Sequence, residues 1–265
     1  MRRIKRLIRS HVGWARVMEG RNKVVLAHTA LPLRRFEDRE VHRFAALQPE
    51  GPPIALVAVV IPTFRRPVGL QRAVASVLGQ TIRDLVAIVV DDGGGLPPLP
   101  SDPRLTAVSL SRNIGLRYLG VVRNVGIRLT RSVFVAFLDD DNTWRSDHLE
   151  VALARLRPQV GIGPDAVYTA VRRLDPTGLQ RDVLSVPFDR RAAADECFLD
   201  ANAFVGRRCR SLHFSRVRRN ADVMPREDWE MIFRYSRRRR VEHVPEPTVD
   251  YLVNPDSYWT RRRTS

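Results

Sequence analysis

Two stretches constrain this chain more than any other feature: ALVAVVIPTF at 55–64 and the LVAIVV that opens LVAIVVDDGGG at 85–95 are unbroken apolar runs rich in β-branched residues. Strands of that kind are covered on both faces, the habit of a parallel sheet lying between layers of helices. The segments between and after them agree. PVGLQRAVASVLGQT (67–81) sets Leu70, Val74, Val77 and Leu78 on one helical stripe, with Pro67 suited to the first turn. LTAVSLSRN (105–113) reads as a third strand, GLRYLGVVRNVGIRLT (115–130) as a helix despite its glycines, and SVFVAFLDDD (132–141) as a fourth strand. A further helix is expected from Ser146, a suitable N-cap, to about Arg157. Four alternations predict an α/β fold with a Rossmann-like, mostly parallel central sheet flanked by helices, and a smaller, less regular C-terminal portion.

In that portion AVYTAVRRLDPTGL (166–179) is expected to be a strand entering a turn at Asp175–Gly178, paired as a hairpin with the segment near Arg181–Pro187. ANAFVGRR is read as another strand. EDWEMIFRYSRR (227–238) is read as a helix with Trp229, Ile232 and Phe233 turned to the core and Glu227 and Asp228 in its first turn. A chain of 265 residues, 44% hydrophobic, can bury one main core. Pro49-Glu50-Gly51-Pro52-Pro53 punctuates it, giving a basic N-terminal extension (1–53), the domain proper (54–260) and a basic tail (261–265).

The formal charge of +16 is concentrated at the ends: residues 1–50 carry +7, residues 51–204 only +2, and residues 205–265 another +7. MRRIKRLIRSHVGWARVM places Ile4, Leu7, Ile8, Val12 and Ala15 near one helical face and the arginines largely elsewhere. Two readings stand: an interfacial helix drawn to anionic lipid, or a helix or arm belonging to its own domain. The runs RRRR at 237–240 and RRR at 261–263 have no helix-turn-helix, zinc-finger or RNP-like pattern beside them, so solvated charge is expected there rather than nucleic-acid binding. Cys197 and Cys209 form neither a CxxC pair nor a zinc spacing. With no apolar run of membrane-spanning length and no secretory h-region, a cytoplasmic location is expected, with peripheral contact at the inner face of the membrane as the interfacial reading of the N-terminus.

Ligands of such sheets bind at the carboxyl ends of the strands, which aligns Pro62–Phe64, Asp91–Asp92 and Asp139–Asp141 along one rim. Three adjacent carboxylates repel and resist desolvation, so a buried triplet calls for a cation or hydrogen-bond donors; a solvated acidic turn is the other reading. Strand-end carboxylates suit Mg²⁺ or Mn²⁺, ions commonly bridged to a substrate's phosphates. Asp91 and Asp92 can accept hydrogen bonds from a base imide or ribose hydroxyl, with Gly93–Gly95 turning the backbone. Arg117 and Arg123 can meet phosphates or simply face solvent. Asp228 sits where the helix dipole keeps a carboxylate ionised and able to accept a proton, although Glu227 and Asp228 are equally read as a capping pair.

The ordered set VVIPTFRR, SVLGQT, IVVDDGG, RNIG with VVRNVGI, FLDDDNTW, REDWEMIFR and VPEPTVDYLVNPDSYW resembles family 2 glycosyltransferases of the GT-A fold, over about residues 56–258. The resemblance implies an inverting, metal-assisted transfer of a sugar from a nucleoside diphosphate donor to a saccharide, lipid-linked or other hydroxyl acceptor. It implies that Pro62, Thr63 and Phe64 line the nucleotide pocket, that Asp92 hydrogen-bonds the base, that Asp139 and Asp140 lie against ribose and donor, that Asp141 ligates Mn²⁺ or Mg²⁺, and that Asp228 is the general base. Arg66, Asp91, Arg117 and Arg123 complete the expected donor-binding set. Two positions depart from the family pattern: Asn142 where a fourth acid is frequent, and Arg65 where asparagine commonly precedes the arginine. A non-catalytic nucleic-acid or anionic-surface binding protein on a degenerate version of this fold is the alternative.

Overall fold

Strands β1 (Val57–Thr63) and β2 (Leu85–Asp91) are buried at every position, as their unbroken apolar runs require. In this computed structural model, which describes residues 13–48, 50–156, 163–219 and 223–253, they lie near one edge of a nine-stranded sheet, in its parallel half. β1 pairs in parallel with β2 on one side and with β4 (Phe134–Phe137) on the other, and β2 pairs in parallel with β3 (Leu105–Ser109). Beyond β4 the sheet is mixed: β8 (Phe204–Arg207) and β6 (Ala166–Leu174) add antiparallel, β9 (Val241–Leu252) lies parallel to β6, and β5 (Thr143–Trp144) closes the edge against β9. β7 (Gln180–Leu184) makes the expected hairpin with β6.

Helices cover both faces. α3 (Pro67–Leu78) buries Leu70, Ala73, Val74 and Val77 completely in the core that Val57, Val59, Ala87 and Phe137 share. On the opposite face α4 (Leu119–Arg128) presents Val121, Val122, Val125 and Leu129 to Ala58, Ile88 and Val90. α5 (His148–Arg155) and α6 (Glu227–Tyr235) pack in the first core through Leu149, Ala152, Met231, Ile232 and Tyr235.

Several boundaries differ from expectation, each for a physical reason. β4 stops at Phe137; Leu138 N still bonds Val60 O at 3.1 Å, after which the chain leaves the sheet, so the aspartates occupy a turn rather than a strand. The helix expected from 115 begins at Leu119, preceded by a 3₁₀ turn at Leu116–Tyr118. In α5 the N-cap position falls on Asp147 rather than Ser146, without a side-chain capping bond, and the helix ends at Arg155.

The N-terminal region is built into the fold. α1 (Trp14–Val25) and α2 (Ala27–Ala45) are joined through Leu26, and Leu33, Phe36 and Phe44 of α2 share the core of Val86, Val121 and Val125. The core therefore runs unbroken across the punctuation at 49–53. Most of the segment read as an interfacial helix (1–12 of 1–18), and Arg261–Arg263, lie outside the described residues. No described helix is long and apolar enough to cross a membrane.

Candidate active site

Thr63, Asp92 and the turn after β4 meet at one edge because β1, β2 and β4 are parallel and end together. α3 locks that edge from outside: a Cβ on Gly69 would lie 2.3 Å from Asp140 O, so only glycine lets the first turn of the helix sit on the triplet's backbone. A cleft of about 250 Å³ opens here, lined by Pro62, Thr63, Phe64 and Arg66, by Asp92, by the triplet Asp139–Asp141, and by Tyr251. Gly115, Leu116, Leu119 and Val122 form its apolar wall.

Each member of the triplet has its own partners. Asp140, 6% exposed, accepts from Thr63 Oγ1 at 2.7 Å and from Arg66 Nη1 at 3.2 Å. The same Arg66 nitrogen reaches Asp141 Oδ2 at 2.5 Å. Asp139 takes a hydrogen bond from Arg123 Nη2 at 2.5 Å, and its carboxylate and backbone amide both engage Asn202. Burial pushes the Asp140 carboxyl up to about 6 against the pull of Thr63 and Arg66. Burial, and then the charge of Asp139, also raise Asp141, with Arg66 opposing. The cleft thus holds more negative charge than its arginine neutralises, and it favours an added cation.

Among the described residues no three His, Cys, Asp or Glu side chains are gathered to cage an ion. Asp141 is the triplet member whose side chain is most open, at 34%, against 28% for Asp139 and 8% for Asp140. One open carboxylate beside a cleft fits Mg²⁺ or Mn²⁺ arriving with phosphate oxygens, since these ions need few protein ligands when a substrate supplies the rest.

Asp92 is held as a hydrogen-bond acceptor by Asn113 Nδ2 and by the amides of Ile114 and Gly115, all at 2.9 Å, while burial raises its carboxyl. Its neighbour Asp91 points the other way. It is fully buried and accepts from the amides of Gly94 and Gly95 and the hydroxyl of Ser109, so it shapes the glycine turn and does not line the cleft. Successive side chains at a strand end face opposite sides, which separates the two roles. Arg117 is exposed and away from the cleft, its backbone carbonyl accepting from Arg219 N. Arg123 is 3% exposed and sits behind Asp139, over the Phe214 ring at 5.1 Å and 3.6 Å from Glu227 Oε1. Glu227, also buried, is raised by that burial and by Asp228 while Arg123 opposes.

Asp228, half-buried in the first turn of α6, accepts from the Trp229 amide at 2.7 Å. Burial raises the Tyr251 phenol, and the charges of Asp200, Asp139, Asp141 and Asp228 add to it; Asp228 itself is not among the residues lining the cleft. Three contributors went unread in the sequence. Asn202 lies in ANAF, whose only signal was strand-like; Asp200 caps its 3₁₀ turn; Tyr251 sits in the VPEPTVDYL segment without a role assigned.

Comparison with known proteins places this architecture. Residues 58–173 match the Glycosyl transferase family 2 model. Chondroitin synthase of Escherichia coli is 30% identical over 132 residues, 47% of this chain and 18% of that protein. The succinoglycan biosynthesis protein ExoW of Rhizobium meliloti is 37% identical over 103 residues, 36% of this chain and 32% of that protein. The chain therefore spans less than a third of these curated relatives. Among solved structures, Staphylococcus aureus TarS 1-349 in complex with UDP-GlcNAc superposes with a TM-score of 0.55 at 14% identity, covering 77% of this chain and 60% of that one. A mannosyltransferase from Pyrobaculum calidifontis in complex with GDP-Man and Mn²⁺ gives 0.52 at 17% identity, covering 88% and 70%. These likenesses show the fold.

Proposed function

We propose that this chain, whose residues 58–173 match the Glycosyl transferase family 2 model, moves a sugar from a nucleoside diphosphate donor to a hydroxyl acceptor, with inversion at the anomeric carbon. One observation carries the reading: Asp92, Asp139, Asp140 and Asp141 open onto a single cleft that Tyr251 also lines. In this reading Asp92 orients the base, while Pro62, Thr63 and Phe64 wall the nucleotide and Asp140 faces the ribose. Arg123 acts through Asp139, holding it toward the donor. Asp141 would hold Mn²⁺ or Mg²⁺, which supplies positive charge to the diphosphate. Arg66, now paired with Asp140 and Asp141, would turn with its half-exposed side chain to the same phosphates.

The acceptor's oxygen attacks the anomeric carbon as Asp228 takes its proton; the bond from that carbon to the diphosphate oxygen breaks and its electron pair leaves with the diphosphate. A single displacement inverts configuration and requires no carboxylate nucleophile. Saccharide acceptors are favoured by the relatives, which include proteins named for chondroitin and succinoglycan synthesis. The alternative of a non-catalytic binding protein on a degenerate fold has less support, because Asp92 and Asp139–Asp141 share one cleft.

The test is turnover of UDP- and GDP-sugars with Mn²⁺, with release of the nucleotide diphosphate as readout. Asp228→Asn should lower kcat by about 10²–10⁴ while donor affinity holds, and Asp141→Ala should abolish Mn²⁺-dependent turnover. Wild-type rates in both variants would defeat the assignment.

A further inference from the structure

The inner side of α1 is fully engaged with the domain. Ala15, Glu19 and Asn22 are buried, Asn22 Nδ2 donates to Met224 O at 2.8 Å, Glu19 pairs with Arg219 at 2.6 Å, and Trp14 stacks on Trp229 with centroids 5.8 Å apart. Ala15, a member of the apolar stripe first read as lipid-facing, is thus turned into the protein.

The outer side and the joint to α2 differ. Through residues 23–35 only Leu33 is buried. Val24 is 79% exposed, Val25 55% and Leu31 55%, an unusual exposure of three aliphatic side chains around one helix joint. Arg21 and Arg35 are exposed on the outer sides of the same two helices, opposite the buried Ala15, Glu19 and Asn22 and the buried Leu33, Phe36 and Glu37, and no acidic residue occurs from 20 to 36; Lys23 instead pairs with Glu19 at 3.7 Å, and Arg34 lines a pocket with Asp38, Arg128, His213 and Arg216.

We propose that this joint is a docking surface for an anionic lipid bilayer, with Val24, Val25 and Leu31 entering the headgroup boundary and Arg21 and Arg35 meeting lipid phosphates. The pairing of features selects the occupant. A polyanion such as RNA would satisfy the arginines but leave the valines and leucine in water, whereas an anionic bilayer takes up both. The geometry adds a consequence: α1 touches the segment carrying Asp228 at Met224 and Trp229, so the docked surface lies one helix away from the base candidate.

The test uses the full chain in vesicle co-sedimentation, comparing phosphatidylcholine alone with phosphatidylcholine containing about 30% phosphatidylserine. Wild type should partition to the anionic vesicles and not to the neutral ones. The triple variant V24S/V25S/L31S should partition about tenfold more weakly, and R21E/R35E at least about tenfold more weakly. Both should melt as wild type does, since every changed side chain is exposed. Failure of wild type to bind anionic vesicles, or unchanged partition of either variant, overturns the proposal. So does a joint whose serine variant keeps vesicle binding while R21E/R35E loses both vesicles and single-stranded RNA, which marks a polyanion site. None of these measurements reads sugar transfer, so their failure is separate from that of the proposed reaction.

Discussion

At the scale of residues, Arg65 shows what a departure from family pattern can mean physically. Its φ is +54°, the one positive value at a non-glycine residue among those described, and its guanidinium lies 5.2 Å from the Phe64 ring centroid. Asparagine tolerates that backbone better. Arg65→Asn is therefore expected to stabilise the protein by about 0.5–1 kcal/mol, the relieved strain exceeding the lost exposed ring contact, as read from denaturant midpoints. Asp200 offers a pH-dependent case. Burial, then the charges of Asp228 and Asp139, raise its carboxyl to about 6. The folded state then binds its proton before the unfolded state does. This group's contribution to stability is greatest at pH below about 4 and is lost as pH rises through about 6. Asp200→Asn should raise Tm by about 2–4 °C at pH 7.5, and the gain should shrink toward pH 5. The sequence exposed the acids of the rim because they cluster at strand ends. It hid Asn202, which meets Asp139 from 63 positions away, and Asp200, which accepts from the same Asn202 amide.

At the scale of elements, the contact between α3 and the triplet turn is the tightest joint of the site. Gly69→Ala should push the helix off Asp140 O, costing about 1–3 kcal/mol, and should weaken donor binding more than it changes the helix itself. Calorimetric titration with UDP and Mn²⁺ would measure the second effect. The strands of the parallel half were legible because their apolar runs are continuous. β9 was not, since Pro245 and Pro247 interrupt its pattern; register shifts beside Thr169–Val171 of β6 accommodate them. β5, at two residues, is too short to leave a period.

At the scale of the whole molecule, the N-terminal region and the domain share buried charge. Glu37 is fully buried, accepting from Arg216 Nη2 at 2.7 Å, Arg128 Nη1 at 3.0 Å and Asn124 Nδ2 at 3.2 Å. Glu37→Gln should cost about 3–5 kcal/mol, and removal of residues 1–53 should abolish cooperative melting, which circular dichroism would report. The charge count of the first 50 residues could not reveal this, because a buried Glu–Arg pair and a solvated one look alike in sequence. Topology carries a last consequence. β9 inserts between β6 and β5, and it brings Tyr251 to the cleft across a long stretch of intervening sequence. The parallel half is built from nearby segments and can form before β9 is in place, yet the cleft lacks this wall until β9 inserts, so nucleotide binding would report the insertion of β9 rather than the first-formed half.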